Sequence, residues 1–361
     1  MSLHLEHLYS SHLPSFAKVA LFEILGEQVS SDFWHVDVIS DALQGCLDRG
    51  QRRLILNLPP RSLKSHCASV SMPVFAIGRN PKHRIMIVAG SAALARDLQR
   101  RALALLRTSR CRSLFPHLRP KEQPGEIVLP QGGGILYASV GQSLIGRGAD
   151  IVIVDDPLSP SKALDDGART YVNEWYDAEV VPRLNDKASG VIIIVMQRLH
   201  LDDLTGHVRQ RGTWSNIVLP AVALRDEIWS LPPRRRLTRQ KGDPLHPMRE
   251  SKDQLISILR DIGAYNFSAQ YLQDPSTNSN PDRVFWYQSP RPPNWTPELG
   301  IGTSGFYSVP EIAYILYDVF AVGAPPLRET SRPEYTPEEW SQSASIQQQR
   351  LQAEIRATAE Q

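Results

Sequence analysis

The chain has few cysteines and no long hydrophobic run. Its three cysteines, at positions 46, 67 and 111 of 361 residues, lie far apart and form no Cys-x-x-Cys pair. This spacing indicates no zinc site and is typical of proteins in a reducing compartment. No apolar run has the length of a membrane helix, and the first residues lack the pattern of a signal peptide. We therefore expect a cytoplasmic protein with no membrane partner.

Net charge is also low, and by itself it does not indicate a nucleic-acid-binding protein. The formal net charge is +2 with 42% hydrophobic and 22% charged residues, a composition typical of a globular protein of about two domains. Any contact with DNA must therefore come from a local basic patch. Residues 232–241 form one such patch. They are either a solvated linker or a contact with DNA phosphates, which salt would weaken strongly.

The first candidate site lies between Arg53 and Ser65. An apolar run stops at Pro59 and Pro60, and a Lys64-Ser65 pair then precedes a helix-like segment. A strand, a tight loop and a helix start in this order are typical of a site that cradles nucleotide phosphates. In such a site the lysine contacts the β- and γ-phosphates, and the serine hydroxyl binds Mg²⁺.

The loop departs from the glycine-rich pattern GxxxxGK[ST]. Leu58 and Leu63 stand at the two glycine positions. A bulky side chain at position 63 disfavours the left-handed backbone that glycine allows. A surface turn is therefore the alternative interpretation of this segment.

A pair of carboxylates follows a second apolar run. Asp155 and Asp156 come directly after the four β-branched residues 151–154. In Mg-nucleotide hydrolases the first acid holds the metal, usually through water, and the next orients or deprotonates the attacking water. A helix cap or turn is the alternative. We expect Lys64 and the two carboxylates to converge on one triphosphate from the ends of neighbouring strands.

The remaining pattern predicts an α/β fold with a mostly parallel sheet and flanking helices. Residues 85–88 and 191–196 are apolar runs, and the second has the uninterrupted character of a buried parallel strand. Residues 126–138 predict a hairpin. Residues 171–184 predict a helix with Trp175 and Val180 facing inward.

Polar side chains after the strand 191–196 are candidates for sensing the γ-phosphate. Gln197 and Arg198 stand at its carboxyl end, where ligands bind in open α/β sheets. A metal cluster is the alternative for the segment that follows, and its members would be His200, Asp202, Asp203 and His207.

Two further segments are candidate contacts. Arg147 lies between two glycines in the loop 141–150, which suits a phosphate, a neighbouring subunit or plain solvent. Residues 33–35, Phe-Trp-His, precede the first strand and either hold an adenine ring or only pack against the core.

The order of these motifs resembles the large terminase subunit of tailed bacteriophages, an ATP-driven motor that packages DNA. The matching strings are Leu58-Pro-Pro-Arg-Ser-Leu-Lys-Ser65, Leu144-Ile-Gly-Arg-Gly-Ala-Asp150, Asp155-Asp-Pro-Leu158, Met196-Gln-Arg-Leu-His-Leu-Asp-Asp-Leu-Thr-Gly206 and Tyr265-Asn-Phe-Ser-Ala-Gln-Tyr-Leu-Gln-Asp-Pro275. Together they cover about residues 33–275. In that family the phosphate loop often has the form Pro-Pro-Arg-x-x-Lys-Ser.

The resemblance implies an ASCE-type P-loop NTPase and assigns roles by position. Arg61, Lys64 and Asp156 are the implied catalytic residues, and Ser65 and Asp155 the implied Mg²⁺ ligands. Residues 197–200 match the segment that couples hydrolysis to movement. Arg147 is a candidate for the arginine that completes the site from the same or a neighbouring subunit, and Arg198 for a sensor. The implied nucleotide-binding residues are Pro60, Arg61, Ser62, Leu63, Lys64, Ser65 and Gln197.

The resemblance also suggests a domain organisation. We expect a helical cap at residues 1–32, an ATPase domain at 33–220, a closing subdomain at 221–280 and a C-terminal region at 281–361. The family carries a nuclease after the ATPase, but only Asp318 ends an apolar run in this region, and one acid makes no two-metal site. We therefore expect a truncated or lost nuclease and a poorly structured tail.

The predicted function is a Mg-dependent ATPase that moves double-stranded DNA into a prohead. The implied partners are DNA, the portal protein, the small terminase subunit and other copies in a ring, in the host cytoplasm and transiently at the portal. Two alternatives stay open. One is another P-loop DNA translocase or a helicase, and the other is an inactive prophage relic that binds DNA or the portal.

Overall fold

The computed structural model describes residues 3–26, 33–232 and 235–275 and the short segments 285–288, 306–309 and 319–320. The helices are α1 (Leu3–Ser11), α2 (Leu13–Leu25), α3 (Trp34–Asp48), α4 (Met72–Arg79), α5 (Ala92–Arg107), α6 (Ser109–Leu114), α7 (Asp166–Trp175), α8 (Leu204–Arg209) and α9 (Lys252–Gln270). The strands are β1 (Arg53–Asn57), β2 (Arg84–Ala89), β3 (Lys121–Gln123), β4 (Glu126–Val128), β5 (Gly134–Ser139), β6 (Ile151–Asp155), β7 (Val191–Met196), β8 (Ser215–Val218), β9 (Glu227–Leu231), β10 (Arg235–Arg239), β11 (Phe285–Gln288) and β12 (Phe306–Val309).

Eight strands form one sheet in the order β3-β4-β5-β2-β6-β7-β1-β8. The six strands β5, β2, β6, β7, β1 and β8 pair parallel with one another. β4 pairs antiparallel with both β3 and β5, so β4 alone runs opposite to the rest of this sheet. The predicted α/β class with a mostly parallel sheet is confirmed, as is the hairpin, which is formed by β4 and β5. Parallel strands end at the same edge, so the residues that follow β1, β6 and β7 share one rim of the sheet.

One strand separates the two that carry the candidate site. We expected β1 and β6 to be neighbours, and this is wrong because β7 pairs with both of them. The registers align Leu54 with Ile193 and Ile193 with Ile153. The three strand ends therefore stay level, and residues beyond β1 and β6 can still meet above the end of β7.

Both faces of the sheet are buried, which explains the continuous apolar runs. Alternate residues of each central strand enter two separate clusters, because side chains of a strand point to opposite faces. Leu54, Leu56 and Ile193 lie in the cluster that also contains residues of α2, α3, α4 and α5. Ile55 and Ile192 lie in the cluster covered by α7 and α8.

The segment predicted as a helix at 171–184 begins earlier and is not uniform. α7 starts after Asp165, whose carboxylate accepts the Ala168 N–H at 3.2 Å and caps the helix. The chain then continues as a π-helix (Tyr176–Val180) and a 3₁₀-helix (Val181–Arg183). Trp175 and Val180 are buried, as predicted.

The basic run is not a linker. Residues 235–239 form β10, which pairs antiparallel with β9. Arg235 contacts the Asp37 carboxylate of α3 at 2.5 Å. Arg239 is buried and donates to the Pro220 and Asp243 carbonyls. These two arginines therefore attach the β9–β10 hairpin to the protein.

The chain divides into two compact units, Met1–Pro281 and Asp282–Gln361. In the second unit, β11 and β12 form a two-stranded antiparallel sheet. Apart from residues 319–320, the rest of the C-terminal region 281–361, in which we expected a truncated or lost nuclease, lies outside the described residues, and so does position 318. The boundaries at residues 32 and 220 stay predictions. None of the described helices is both long and apolar enough to cross a bilayer.

Candidate functional site

The phosphate-type loop begins where β1 ends. Asn57, the last residue of β1, is buried, and its side-chain amide donates to the Met196 carbonyl at 3.2 Å and to the Thr205 hydroxyl at 3.1 Å. These contacts fix the end of β1 against β7 and α8. Pro59 and Pro60 then prevent further pairing because proline has no N–H to donate.

The loop contains two left-handed residues that are not glycine. Arg61 has φ 57° and Leu63 has φ 65°, a conformation that costs about 1–2 kcal/mol for such a residue. The Ser62 hydroxyl stabilises the turn by donating to the Pro59 carbonyl at 2.8 Å. Leu63 is half-buried against the core. Position 63 therefore adopts the backbone that its side chain disfavours, and strain of this kind is typical of functional loops.

Lys64 and Ser65 directly precede a π-helix (His66–Ser71) that leads into α4, and the Lys64 side chain is buried. Its Nζ lies 3.1 Å from Asp156 Oδ2, and its side chain is 6% exposed. The Cys67 N–H donates to the Leu63 carbonyl at 3.0 Å. The amides of Lys64 and Ser65 precede this bond and belong to the first turn, whose N–H groups have no partner within the helix. Amides in the first turn of a helix, next to a lysine, are the groups that bind anions.

Asp155 is a fully buried carboxylate held by two hydroxyls. Ser65 Oγ donates to its Oδ1 at 2.9 Å, and Ser69 Oγ donates to its Oδ2 at 2.5 Å. Burial raises the pKa of Asp155, and the neighbouring charge of Asp156 raises it further, whereas Ser69, Lys64 and Ser65 lower it. Asp155 is thus 0% exposed, and its hydrogen-bond partners are neutral hydroxyls rather than cations.

Asp156 occupies a tight turn beneath Gly90. Its φ is 41°, and its N–H donates to the Val195 carbonyl at 2.8 Å. Its Oδ1 accepts the Gln197 N–H at 3.2 Å. A Cβ at Gly90 would lie 2.2 Å from the Asp156 carbonyl oxygen. Gly90 therefore permits the approach of β2 to this turn, a role that our sequence reasoning missed although the glycine ends a predicted strand.

Gln197 and Arg198 follow β7 between the other two strand ends. Gln197 is buried, and within the described part of the chain its Oε1 has no hydrogen-bond partner. Such an orphan beside Asp156 fits a ligand that is not part of the protein. The Arg198 guanidinium is bound by Asp203, whose Oδ2 lies 2.9 Å from Nε. The Arg198 N–H donates to Gln273 Oε1 at 2.9 Å.

The metal cluster considered for residues 200–207 is not formed. Asp203 binds Arg198 and caps α8 by accepting the Gly206 N–H at 3.0 Å. His207 lies 2.9 Å from Asp177 instead. Among the described residues, no group of three or more His, Cys, Asp or Glu side chains could hold a metal ion.

The donors around Asp155 nevertheless fit Mg²⁺. This ion prefers oxygen ligands, and it is usually held by one or two carboxylates, the remaining positions going to water and phosphate. The Asp155 carboxylate and the Ser65 hydroxyl lie in contact, and Asp156 follows. The raised pKa of Asp155 indicates a site where a cation would be favourable.

Two other predicted site residues, Arg61 and Arg147, are exposed. Burial raises the pKa of Glu250, and the charges of Arg249 and Arg61 offset part of this rise. Arg147 is exposed and pairs with Glu126 of β4 at 3.2 Å. The roles predicted for Arg61, Arg147 and the loop residues stay predictions.

Residues 33–35 pack into the protein. Phe33 and His35 are buried, and their rings lie 4.5 and 5.4 Å from the ring of His246 between centroids. Arg239 stacks over Trp34 at 5.9 Å. The packing alternative therefore accounts for their contacts.

No protein-family model matches the sequence, and no curated protein matches it either. Among the solved structures that are similar to this chain are three phage large terminases. The HK97 bacteriophage large terminase is 13% identical with a TM-score of 0.39, and the match covers 59% of this chain and 44% of that one. This chain thus spans less than half of the HK97 protein.

An ATPase-domain variant of the Thermus phage P74-26 large terminase is 15% identical with a TM-score of 0.41, covering 70% of this chain and 96% of that one. The large terminase of a thermophilic bacteriophage in complex with ADP is 11% identical with a TM-score of 0.38, covering 74% and 64%. The chain is thus similar to phage large terminases, as its motifs suggested.

Proposed function

We propose that this chain binds ATP with Mg²⁺ and hydrolyses it to ADP and phosphate. The observation that carries the proposal is the convergence at the rim of the sheet. Lys64 Nζ lies 3.1 Å from Asp156, and the Ser65 hydroxyl lies 2.9 Å from Asp155. A lysine, a hydroxyl and two carboxylates in this arrangement at a helix N-terminus match the requirements of phosphoryl transfer.

Each side chain has a distinct task in this mechanism. The amides of Lys64 and Ser65 and the Lys64 ammonium bind phosphate oxygens and stabilise their charge. Asp155 and Ser65 would hold the Mg²⁺, which when bound would neutralise negative charge on the phosphates. Arg61 reaches the γ-phosphate from the exposed side of the loop.

Asp156 orients the attacking water and accepts its proton. The Gln197 N–H holds one carboxylate oxygen of Asp156 at 3.2 Å. Lys64 pairs with the other oxygen, and this pairing aims the carboxylate into the site before phosphate replaces it as the partner of the ammonium. The orphan Gln197 Oε1 is a second acceptor for the water. Arg198 is bound by Asp203, so it would sense the γ-phosphate only through the segment after β7 that contains Gln197. Arg147 would act on a neighbouring copy.

We further propose that hydrolysis drives double-stranded DNA into a prohead. The support is the order of motifs at 58–65, 144–150, 155–158 and 196–206, which resembles phage large terminases. The proposed partners are DNA, the portal protein, the small terminase subunit and further copies in a ring. The proposed place is the host cytoplasm and the portal. A helicase or another translocase, and an inactive relic that binds DNA or the portal, are the competing functions.

Steady-state ATP turnover with and without double-stranded DNA tests this proposal. We expect Mg-dependent turnover that DNA stimulates, and a loss of at least about 100-fold in Lys64→Ala. Lys187→Ala, an exposed lysine in the turn before β7, is the matched control and should keep wild-type turnover. Nucleotide binding without turnover, even with DNA, would select the inactive relic. Strand separation of a forked duplex would select the helicase. Nuclease activity, measured on the same DNA, should be absent or very weak.

A further inference from the structure

A cleft of about 600 Å³ lies at the end of α5, away from the strand ends that carry the candidate site. Its floor is apolar. α5 contributes two side chains, α6 contributes one, and the chain between α6 and β3 contributes the other two. The floor residues are Leu103, Leu106, Cys111, Phe115 and Leu118. Each of them is largely buried, with 3–8% of its surface exposed.

The rim of this cleft is strongly cationic. Four basic side chains border it against one carboxylate, namely Arg107, Arg112, Arg119, Lys121 and Glu122. Arg107 and Glu122 pair with each other at 2.7 Å. Arg119 donates to the Leu118 carbonyl at 2.8 Å, which turns it back onto its own loop. Arg112 and Lys121 are exposed, so the excess positive charge of the rim faces solvent.

The shape of the floor suits a helix. Leu103 and Leu106 are three residues apart on α5, Cys111 lies on α6, and Phe115 directly follows the end of α6. Rows at the three-residue spacing form ridges and grooves into which another helix packs. A cleft of this volume accepts two or three leucine-sized side chains, the usual anchors of a helix laid into a groove.

We propose that this cleft docks an acidic amphipathic helix of a partner protein. Leucine-like anchors occupy the floor, and Glu or Asp side chains beside them face Arg112 and Lys121. Charge complementarity of this kind steers encounter and fixes the orientation of a docked segment. The inference does not depend on ATP hydrolysis.

The same surface fits nucleic acid less well. Phosphates would use only the rim and leave the apolar floor in contact with water. The one aromatic ring of the floor, Phe115, is 3% exposed and offers no face for stacking a base. An extended peptide added to β3 is also disfavoured, because the strand has three residues and presents charged side chains at the sheet edge.

Fluorescence polarisation with the full chain and labelled peptides tests the proposal. The probe is a helical peptide of about five turns with leucines at i, i+3 and i+7 and glutamates beside them. A second peptide replaces these leucines with serine, and a third replaces the glutamates with lysine. We expect saturable binding of the first peptide with a Kd below about 1 mM and roughly tenfold weaker binding of the other two.

Protein variants separate the cleft from general surface charge. Arg112→Glu with Lys121→Glu should weaken the acidic peptide roughly tenfold and strengthen the lysine peptide. Arg96→Glu with Lys187→Glu reverses two exposed charges outside the cleft and should change neither. Thermal melting of each variant checks that the fold is intact.

Three results would overturn the proposal. The serine peptide could bind as tightly as the leucine peptide, or binding could survive the rim reversal or be absent up to about 1 mM. A short DNA duplex could also displace the acidic peptide and lose its own affinity in the rim variant, which would identify a nucleic-acid site instead.

Discussion

Replacing Asp155 by asparagine should abolish ATP turnover and stabilise the protein without Mg²⁺. The carboxylate is 0% exposed, and its direct partners are two neutral hydroxyls, while Lys64 pairs with Asp156. A buried ionised group without a paired cation is unfavourable. Asparagine has the same shape and keeps an oxygen for the serine hydroxyls, but it carries no charge.

The size and the pH dependence of this effect follow from the pKa of Asp155. Folding raises the pKa from 3.8 to about 6, chiefly through burial and then through the charge of Asp156. An acid whose pKa is raised by folding lowers the free energy of unfolding as the pH rises through its folded pKa, since the folded state then loses a proton that it binds tightly. The penalty is absent below about pH 4 and complete above about pH 7. It amounts to about 1–3 kcal/mol.

Chemical denaturation of wild type and Asp155→Asn at pH 5 and pH 8, without Mg²⁺, measures this penalty. We expect the variant to be more stable by about 1–3 kcal/mol at pH 8 and by less at pH 5. Mg-ADP should stabilise the wild type and not the variant.

Asp203→Asn is the matched control because Asp203 is equally buried at 1% exposed but binds the Arg198 guanidinium. Removing this partner should destabilise the protein by about 3–5 kcal/mol. The reasoning is refuted if Asp155→Asn destabilises the metal-free protein at pH 8, or if its stability relative to wild type does not change between the two pH values.

Two further variants test the packing around the site. Gly90→Ala should push the Asp156 turn away, because its Cβ would lie 2.2 Å from the Asp156 carbonyl oxygen. We expect the free energy of unfolding to fall by about 1–3 kcal/mol and ATP turnover to be at least tenfold slower. Gly212→Ala is the control, since the nearest atom to its Cβ lies at 3.9 Å; it should match wild type, and equal turnover in both variants would contradict the prediction. Burial, followed by the charges of His246 and Arg239, lowers the pKa of His35 from 6.5 to about 3, so the wild type should lose about 2–3 kcal/mol of unfolding free energy between pH 7 and pH 4.5. His35→Phe should remove that part of the loss, and an unchanged pH dependence in urea unfolding would show that His35 is not buried in its neutral form.

The central strands and the two ends of the candidate site could be predicted from the sequence. β1, β6 and β7 are buried on both faces, and therefore their apolar runs are continuous and end at proline, aspartate or polar residues. The Lys64-Ser65 pair and the Asp155-Asp156 pair follow such runs directly. Local pattern alone was enough to place them at strand ends.

The lateral order of the strands could not be predicted in the same way. β7 lies between β1 and β6 although it comes after both in the chain. Strand order depends on how crossovers pack against the sheet, and a local pattern does not record it. The pairing of Arg198 with Asp203 was missed for a related reason. An arginine that follows a strand is equally consistent with an internal ion pair and with a contact to a ligand.

Position 63 shows the limit of rules about single residues. The pattern of the loop favours glycine, and a leucine there made a surface turn the alternative interpretation. The chain instead adopts φ 65° at Leu63 with the side chain half-buried against the core. Packing and the Ser62–Pro59 hydrogen bond at 2.8 Å offset the strain of this left-handed backbone. Rules based on residue type count the strain but not these contacts.

The most direct test of the site is the ATP turnover of Asp156→Asn compared with that of Glu174→Gln. Both changes remove one negative charge, but Glu174 is an exposed residue of α7 and Asp156 contacts Lys64. We expect Asp156→Asn to bind Mg-ATP and to turn it over at least about 100-fold more slowly than the wild type, with Glu174→Gln unaffected. Equal turnover by Asp156→Asn and wild type would show that Lys64 and the two carboxylates do not act on one triphosphate.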